Sequence, residues 1–221
     1  MFNPTTFEPQ TIVDCVIGNQ KSKQLLDNLV SNKIPFPAFG KSGILLYGTW
    51  GTGKTTLAKL LPDAIEMARC NSDANSHFYP CAMGANGVTL INNISSWIVL
   101  TSLNKSNLQY VVLDEIDNLT DAAQKSLKAA MNVQDVVFIM TTNHIDKIES
   151  GVINRCYLIE MNAAAPADWL PIVKRLITAN DIPLPPDSSL LPVIASCNGS
   201  ARDIMSAAVR VAVEAKFNKA A

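Results

Sequence analysis

The chain reads as an α/β protein: a parallel five-stranded sheet flanked by helices, followed by a small domain of three helices. Three observations predict this. Short apolar runs alternate with longer stretches of helical period, the pattern of a parallel sheet covered on both faces. One such run, Ile44-Leu45-Leu46-Tyr47, leads into Gly48-Thr49-Trp50-Gly51-Thr52-Gly53-Lys54-Thr55, a complete phosphate-binding loop of the form G-x-x-x-x-G-K-[ST]. After Met161 the strand pattern gives way to a small-residue connector, Asn162-Ala163-Ala164-Ala165-Pro166. A domain boundary is expected there, with residues 1–161 forming the sheet domain and residues 162–221 a helical lid.

Each element has a local reason. Leu25, Leu26, Leu29 and Val30 share one face of a helix that precedes the first strand. That strand is Ile44 to Tyr47, and the loop after it opens the helix beginning Thr56-Leu57-Ala58. A second strand is expected near His77 to Met83, and a helix from Val88 to Leu103. Tyr110-Val111-Val112-Leu113 is the clearest strand and runs straight into Asp114. Thr120 or Asp121 can cap a helix ending near Met131. Val136 to Met140 and Tyr157 to Ile159 complete the sheet. The lid helices are expected at about Ala167 to Ala179, Asp187 to Cys197 and Ser200 to Phe217, separated by Pro183, Pro185, Pro186 and Gly199.

Composition narrows the function classes. With 221 residues, 48% of them hydrophobic, the chain can bury a sizeable core without staples. A net charge of -1 argues against a general polyanion binder, so nucleic acid would have to meet a local patch or several copies together. Five unevenly spaced cysteines, no basic-apolar leader and no apolar run of spanning length suggest a soluble protein of a reducing cytosol, away from membranes. His77 and Cys81 lie near Cys70 but lack the second cysteine pair of a tetrahedral zinc site, so a structural role is expected for them.

The motifs point to nucleotide chemistry. Gly48, Gly51 and Gly53 let backbone N–H groups curl around a polyphosphate, with Thr52 and Thr56 in the same turn of chain. Lys54 supplies positive charge and Thr55 a hydroxyl for Mg²⁺. Asp114-Glu115 ends an apolar strand sixty positions after Lys54, where such a loop needs its acidic partner. Asp114 would hold Mg²⁺ and Glu115 would orient or deprotonate the attacking water. Thr141-Thr142-Asn143 ends the next strand, and a parallel sheet would bring Asn143 to the same edge as Asp114. Lys125 and Lys128, three apart on one helix, share a face that either meets solvent or tracks a phosphate backbone.

Asp114-Glu115-Ile116-Asp117-Asn118-Leu119-Thr120 and the helix after it resemble the Walker B strand and following helix of clamp-loader ATPases, the replication factor C and bacteriophage clamp-loader subunits of the AAA+ superfamily. Phe2-Asn3-Pro4 with Phe7 and Val16-Ile17-Gly18 is similar to the family's adenine-contacting box. Asn154-Arg155-Cys156 resembles its Ser-Arg-Cys finger motif, and Gly199-Ser200-Ala201-Arg202-Asp203 resembles the start of its sensor 2 helix. The resemblance covers nearly all of the chain, and the chain ends about where the family's collar domain would begin. It implies an AAA+ core that binds ATP and Mg²⁺ between the two domains, with Val16 and Ile17 near the adenine. It makes Asn143 the sensor 1 residue and Arg202 the sensor 2 arginine of its own subunit. Arg155 becomes a finger donated to a neighbour's nucleotide.

The implied activity is ATP hydrolysis in an assembly with other AAA+ subunits, of the same or a different chain, coupled to loading a sliding clamp on primed or double-stranded DNA. Lys125 and Lys128 would then contact DNA. The implied location is the cytoplasm or nucleoid, with a phage gene product acting in its host's cytoplasm included. Two other readings use the same residues: a helicase or initiator loader or other DNA-associated remodelling ATPase, and an ATP-gated subunit that binds without hydrolysis.

Overall fold

The computed structural model describes residues 8–179 and 182–218. Its five strands are β1 (Gly43–Tyr47), β2 (Ser76–Pro80), β3 (Gln109–Asp114), β4 (Val136–Thr142) and β5 (Cys156–Glu160). They form one sheet in the order β2-β3-β4-β1-β5, and every neighbouring pair is parallel. The three inner strands are buried along nearly their whole length, as expected of a parallel sheet covered on both faces, whereas edge strand β2 alternates exposed and half-buried residues. This is the expected fold class.

Helices α1 (Gln20–Val30), α2 (Lys54–Cys70), α3 (Val88–Ile98), α4 (Asp121–Ala130) and α5 (Ser150–Asn154) accompany the sheet. The hydroxyl of Thr120 accepts from the N–H of Ala123 at 3.2 Å, so Thr120 is the cap of α4. Ile91 and Ile94 of α3 and Ala123 and Leu127 of α4 bury their apolar faces with Val111 of β3 and Phe138 of β4 in one core. Helix α3 ends at Ile98, five residues short of the expected Leu103. The following turn spends its polar groups locally instead: Ser102 Oγ donates to the carbonyl of Leu108, and the buried Asn104 carboxamide donates to the carbonyls of Asn75 and Leu108. Val99, Leu100 and Leu103 are left exposed. The short α5, unexpected from sequence, is capped by Glu149, whose Oε2 accepts from the N–H of Val152 at 3.0 Å.

Close packing divides the chain into two compact units. One comprises Gln20–Gly48 and Lys54–Glu160. The other contains residues 8–19, Thr49–Gly53 and the chain from Met161 onward, with α6 (Pro166–Ala179), α7 (Asp187–Ser196) and α8 (Ala201–Asn218). Residues 8–19 and 49–53, placed by sequence in the sheet domain, thus cluster with the C-terminal helices. Val16 packs on the core of Trp169, Val173, Leu190 and Ile204, a Cβ on Gly18 would strike Ala164 Cα at 2.7 Å, and Arg175 pairs with Asp14. Such contacts join positions more than a hundred residues apart, beyond the reach of local pattern.

All five cysteines are free thiols. Burial pushes the thiols of Cys81 and Cys156 up to about 12, so neither is a nucleophile at neutral pH. The His77 ring lies against Trp97, centroids 3.9 Å apart. Among the described residues no helix is long and apolar enough to cross a membrane. Helix α2 carries a fully buried acid, Glu66, which accepts from the N–H and hydroxyl of Ser106 (2.9 and 2.5 Å) and from the Tyr110 hydroxyl (2.8 Å).

Candidate nucleotide site

The phosphate loop spans the turn between β1 and α2. Gly53 has φ +88°, a left-handed conformation that favours glycine, and among the described residues a Cβ there would meet nothing within 4 Å. Gly51 also has positive φ, and a Cβ on it would come within 2.9 Å of Ser200 Oγ. Thr52 Oγ1 donates to the carbonyl of Thr49, closing the turn on itself. Helix α2 begins at Lys54, and Thr55 and Thr56 follow in its first turn. The Lys54 ammonium donates to the Gly48 carbonyl at 3.1 Å. Burial pulls its pKa down from the ordinary lysine value, and the charges of Asp114, Asp117 and Glu115 partly offset that.

Register aligns the acidic residues with this loop. Leu113 of β3 lies beside Met140 of β4, and Tyr47 of β1 beside Thr142 of β4. Asp114, Thr142 and Gly48 therefore emerge together at the carboxyl edge of the sheet. There the hydroxyls of Thr55 and Thr141 both donate to Asp114 Oδ1, at 2.7 and 2.6 Å. The Glu115 N–H donates to Thr141 Oγ1 at 2.9 Å, and Glu115 itself is exposed. Thr142 Oγ1 donates to Asp117 Oδ1 at 2.8 Å, and the N–H of Asn143 reaches the same oxygen at 3.4 Å. The triplet at the end of β4 thus secures both aspartates, and two of its members, Thr141 and Thr142, act through hydroxyls whose role local sequence does not assign. Two threonines directly before Asn143 were the available signal.

Mg²⁺ favours hard oxygen ligands, commonly one or two carboxylates completed by phosphate and water. The touching hydroxyl of Thr55 and carboxylate of Asp114 are such a pair, and the buried ammonium of Lys54 lies one residue before Thr55 in the chain. Among the described residues no group of three or more His, Cys, Asp or Glu side chains could hold a metal ion. The Thr55 and Asp114 oxygens and the Lys54 ammonium therefore fit a magnesium-bound polyphosphate.

Arg155 stands at the other end of the sheet. It caps the C-terminus of α5 immediately before β5, whose first residue, Cys156, pairs with Gly43, the first residue of β1. Its Nε donates to Asn132 Oδ1 at 3.0 Å and its Nη1 to the Gly151 carbonyl at 2.9 Å. At ~3.3 Å per residue, the length of β1 separates it from the start of the phosphate loop by roughly 15 Å. It is not gathered with Lys54 and Asp114.

In the second unit Arg202 lies exposed in the first turn of α8, next to Ala201, whose N–H donates to the Gly51 carbonyl at 2.8 Å. Ile17 is buried and Val16 packs on the helical core. The Phe2-Asn3-Pro4 and Phe7 part of the adenine box lies outside the described residues. On α4, Lys125 is exposed and lines a cleft of about 260 Å³ with Gln124, Asp146, Lys147 and Glu149. Lys128 is committed to an ion pair with Glu149 Oε1 at 3.0 Å.

Comparison with known proteins agrees with this geometry. Residues 44–162, more than half of the chain, match the model of the ATPase family associated with various cellular activities (AAA). The chain is similar to replication factor C small subunit 1 of Pyrobaculum islandicum, 33% identical over 128 residues covering 53% of this chain and 37% of that protein. It is likewise similar to the replication factor C small subunits of Picrophilus torridus (30% identity; 66% of this chain, 44% of the relative) and Methanosphaera stadtmanae (28%; 77% and 50%). It thus spans half or less of the length of these relatives. Among solved structures, the RuvB Holliday junction branch migration motor of Thermotoga maritima superposes with a TM-score of 0.66 at 19% identity, covering 94% of this chain and 64% of that one, and supports the fold alone. With its loop, acidic strand and family match in agreement, the chain belongs to the ATPase family associated with various cellular activities, AAA.

Proposed function

We propose that the chain is a clamp-loader-like ATPase module of DNA replication, which binds Mg-ATP in its own loop and hydrolyses it when another AAA subunit supplies Arg155. The observation that carries this reading is the separation of the two halves of the chemistry. Lys54, Thr55 and Asp114 converge at the carboxyl edge of the sheet, while Arg155 is fixed at the amino edge, too far to serve the same phosphates. An arginine so placed is suited to a neighbour's nucleotide, where it neutralises charge on the transferring phosphoryl group.

In this reading Lys54 and the loop N–H groups orient the β- and γ-phosphates, and Thr55 and Asp114 hold the metal. Bound Mg²⁺ supplies charge neutralisation on the phosphoryl oxygens. Glu115 takes a proton from water as the water oxygen bonds to the γ-phosphorus and the bond to the ADP oxygen breaks. Asn143 steadies the water, and Arg202 contacts the γ-phosphate of its own subunit. Similarity to replication factor C small subunits supports a sliding clamp as cargo and primed DNA as template, with Lys125 and Lys128 facing the phosphate backbone.

The test mixes two inactive variants in the presence of primed DNA and a sliding clamp. Arg155→Ala keeps its own site but lacks the finger; Glu115→Gln keeps the finger but lacks the base. Each alone should lose about 10³-fold in turnover while retaining ATP affinity. Their mixture should recover a substantial fraction of wild-type turnover, and a mixture as inactive as its components would overturn the shared-site reading.

A further inference from the structure

We infer that Asn118 is the positioning residue for Glu115, bracing one carboxylate oxygen so that the other faces the water to be deprotonated; this rests on the reading of Glu115 as the base. Glu115 has φ 57° and ψ 54°, a left-handed conformation that non-glycine residues seldom adopt. Its surroundings over-determine that conformation. The N–H donates to Thr141 Oγ1, and the carbonyl accepts from the N–H of Asn118 at 3.0 Å, closing the 3-10 turn Ile116–Asn118. With the backbone pinned at both ends, the remaining freedom is in the exposed side chain.

Asn118 restrains it. Its Nδ2 donates to Glu115 Oε2 at 3.3 Å. The amide orientation follows from the partner, because a carboxylate accepts and only the NH₂ group can donate to it. Asn118 is itself held from behind. Its carbonyl accepts from Asn86 Nδ2 at 2.7 Å, and the Asn86 carbonyl accepts from the N–H of Thr120, the cap of α4. The brace therefore runs from the start of a helix, through the loop after β2, to one oxygen of the carboxylate. Engaging Oε2 leaves Oε1 as the oxygen that accepts the water proton.

A flexible, solvated carboxylate spends little time in a productive orientation, so removing the brace should act on turnover and not on binding. Three variants test this in the full chain assembled with DNA and clamp. Asn118→Leu, which keeps the branched shape but lacks a donor, should lower kcat about tenfold while KM and calorimetric ATP affinity stay within about twofold. Asn118→Gln, which keeps a donor, should recover most of the loss. In a Glu115→Gln background, Asn118→Leu should cost nothing further, because its effect passes through the carboxylate. An unchanged kcat, or the same loss with and without Glu115, would overturn the assignment.

Absence of turnover in the wild type under every condition would instead defeat the hydrolytic reading. In that event the contact is decided by NMR of the Asn118 side-chain amide. Signals that move in Glu115→Ala support the brace, and signals that do not move refute it.

Discussion

Strand β3 meets a hydrogen-bonded acid at each end, Glu66 of α2 beside Tyr110 and its own Asp114, and the two differ in what holds them. Near its amino end, Glu66 is fully buried and accepts from the N–H and hydroxyl of Ser106 and the hydroxyl of Tyr110. At its carboxyl end, half-buried Asp114 accepts from the hydroxyls of Thr55 and Thr141 at a sheet edge. Both are carboxylates satisfied by hydroxyls, yet Glu66 is enclosed by donors with nowhere to go, while in the proposed function Thr55 would exchange its bond to Asp114 for a shared metal ion. A saturated, buried acid is structure; an acid whose partner is replaceable is a site.

Isosteric neutralisation at the two ends gives the largest contrast. Glu66→Gln should cost about 2–4 kcal/mol of folding stability by weakening charge-assisted bonds in a buried setting, whereas Asp114→Asn should cost less than about 1 kcal/mol in a denaturant titration and abolish Mg²⁺-dependent turnover. A large stability loss at Asp114 would erase the distinction. The acid limb of stability tests Glu66 further. Burial alone would raise the Glu66 pKa, but bonds from Ser106 and Tyr110 outweigh it and hold the carboxyl below its ordinary 4.5. A depressed native pKa means that the stabilisation is complete above 4.5 and is lost as pH falls through the native value. Stability of Glu66→Gln should therefore fall less steeply than wild type below that pH.

A smaller effect is expected at Thr141. Replacing it with Val keeps the shape of the strand but removes the hydroxyl that ties Asp114 to the Glu115 N–H, at a cost of about 1 kcal/mol in stability. Turnover should fall more than ATP affinity. The smallest effect belongs to a third acid, Glu149, whose partner Lys128 is partly exposed. Glu149→Gln keeps the cap on α5 yet releases the lysine, so affinity for primed DNA at low salt should rise about twofold, with a steeper salt dependence. Unchanged DNA affinity would remove Lys128 from the proposed DNA face.

Much of the site was legible because it is local. Gly48 to Thr55 are consecutive, so the motif itself fixes which atoms would surround a phosphate, and the acidic strand end is recognisable from an apolar run meeting Asp114. The fold class followed from the strand and helix periods, and most elements fall within a few residues of their expected limits. Helix α3 is shorter than its pattern predicts because Val99, Leu100 and Leu103 continue an apolar texture that the Ser102 and Asn104 turn overrides. Asn118 and Asn132 gave no signal, since asparagines in loops usually cap and turn. Only their distances to Glu115 and Arg155 distinguish them.

The sequence by itself determined the order of elements, the phosphate loop and the acids that accompany it, because each depends on neighbours in the chain or on a repeating apolar period. Tertiary structure decided which hydroxyls reach Asp114, that residues 8–19 and 49–53 cluster with the C-terminal helices, and that Arg155 sits at the opposite edge of the sheet from Lys54. These depend on strand register and on contacts across more than a hundred residues. A shift of one residue in register would redirect every side chain involved without altering any local pattern.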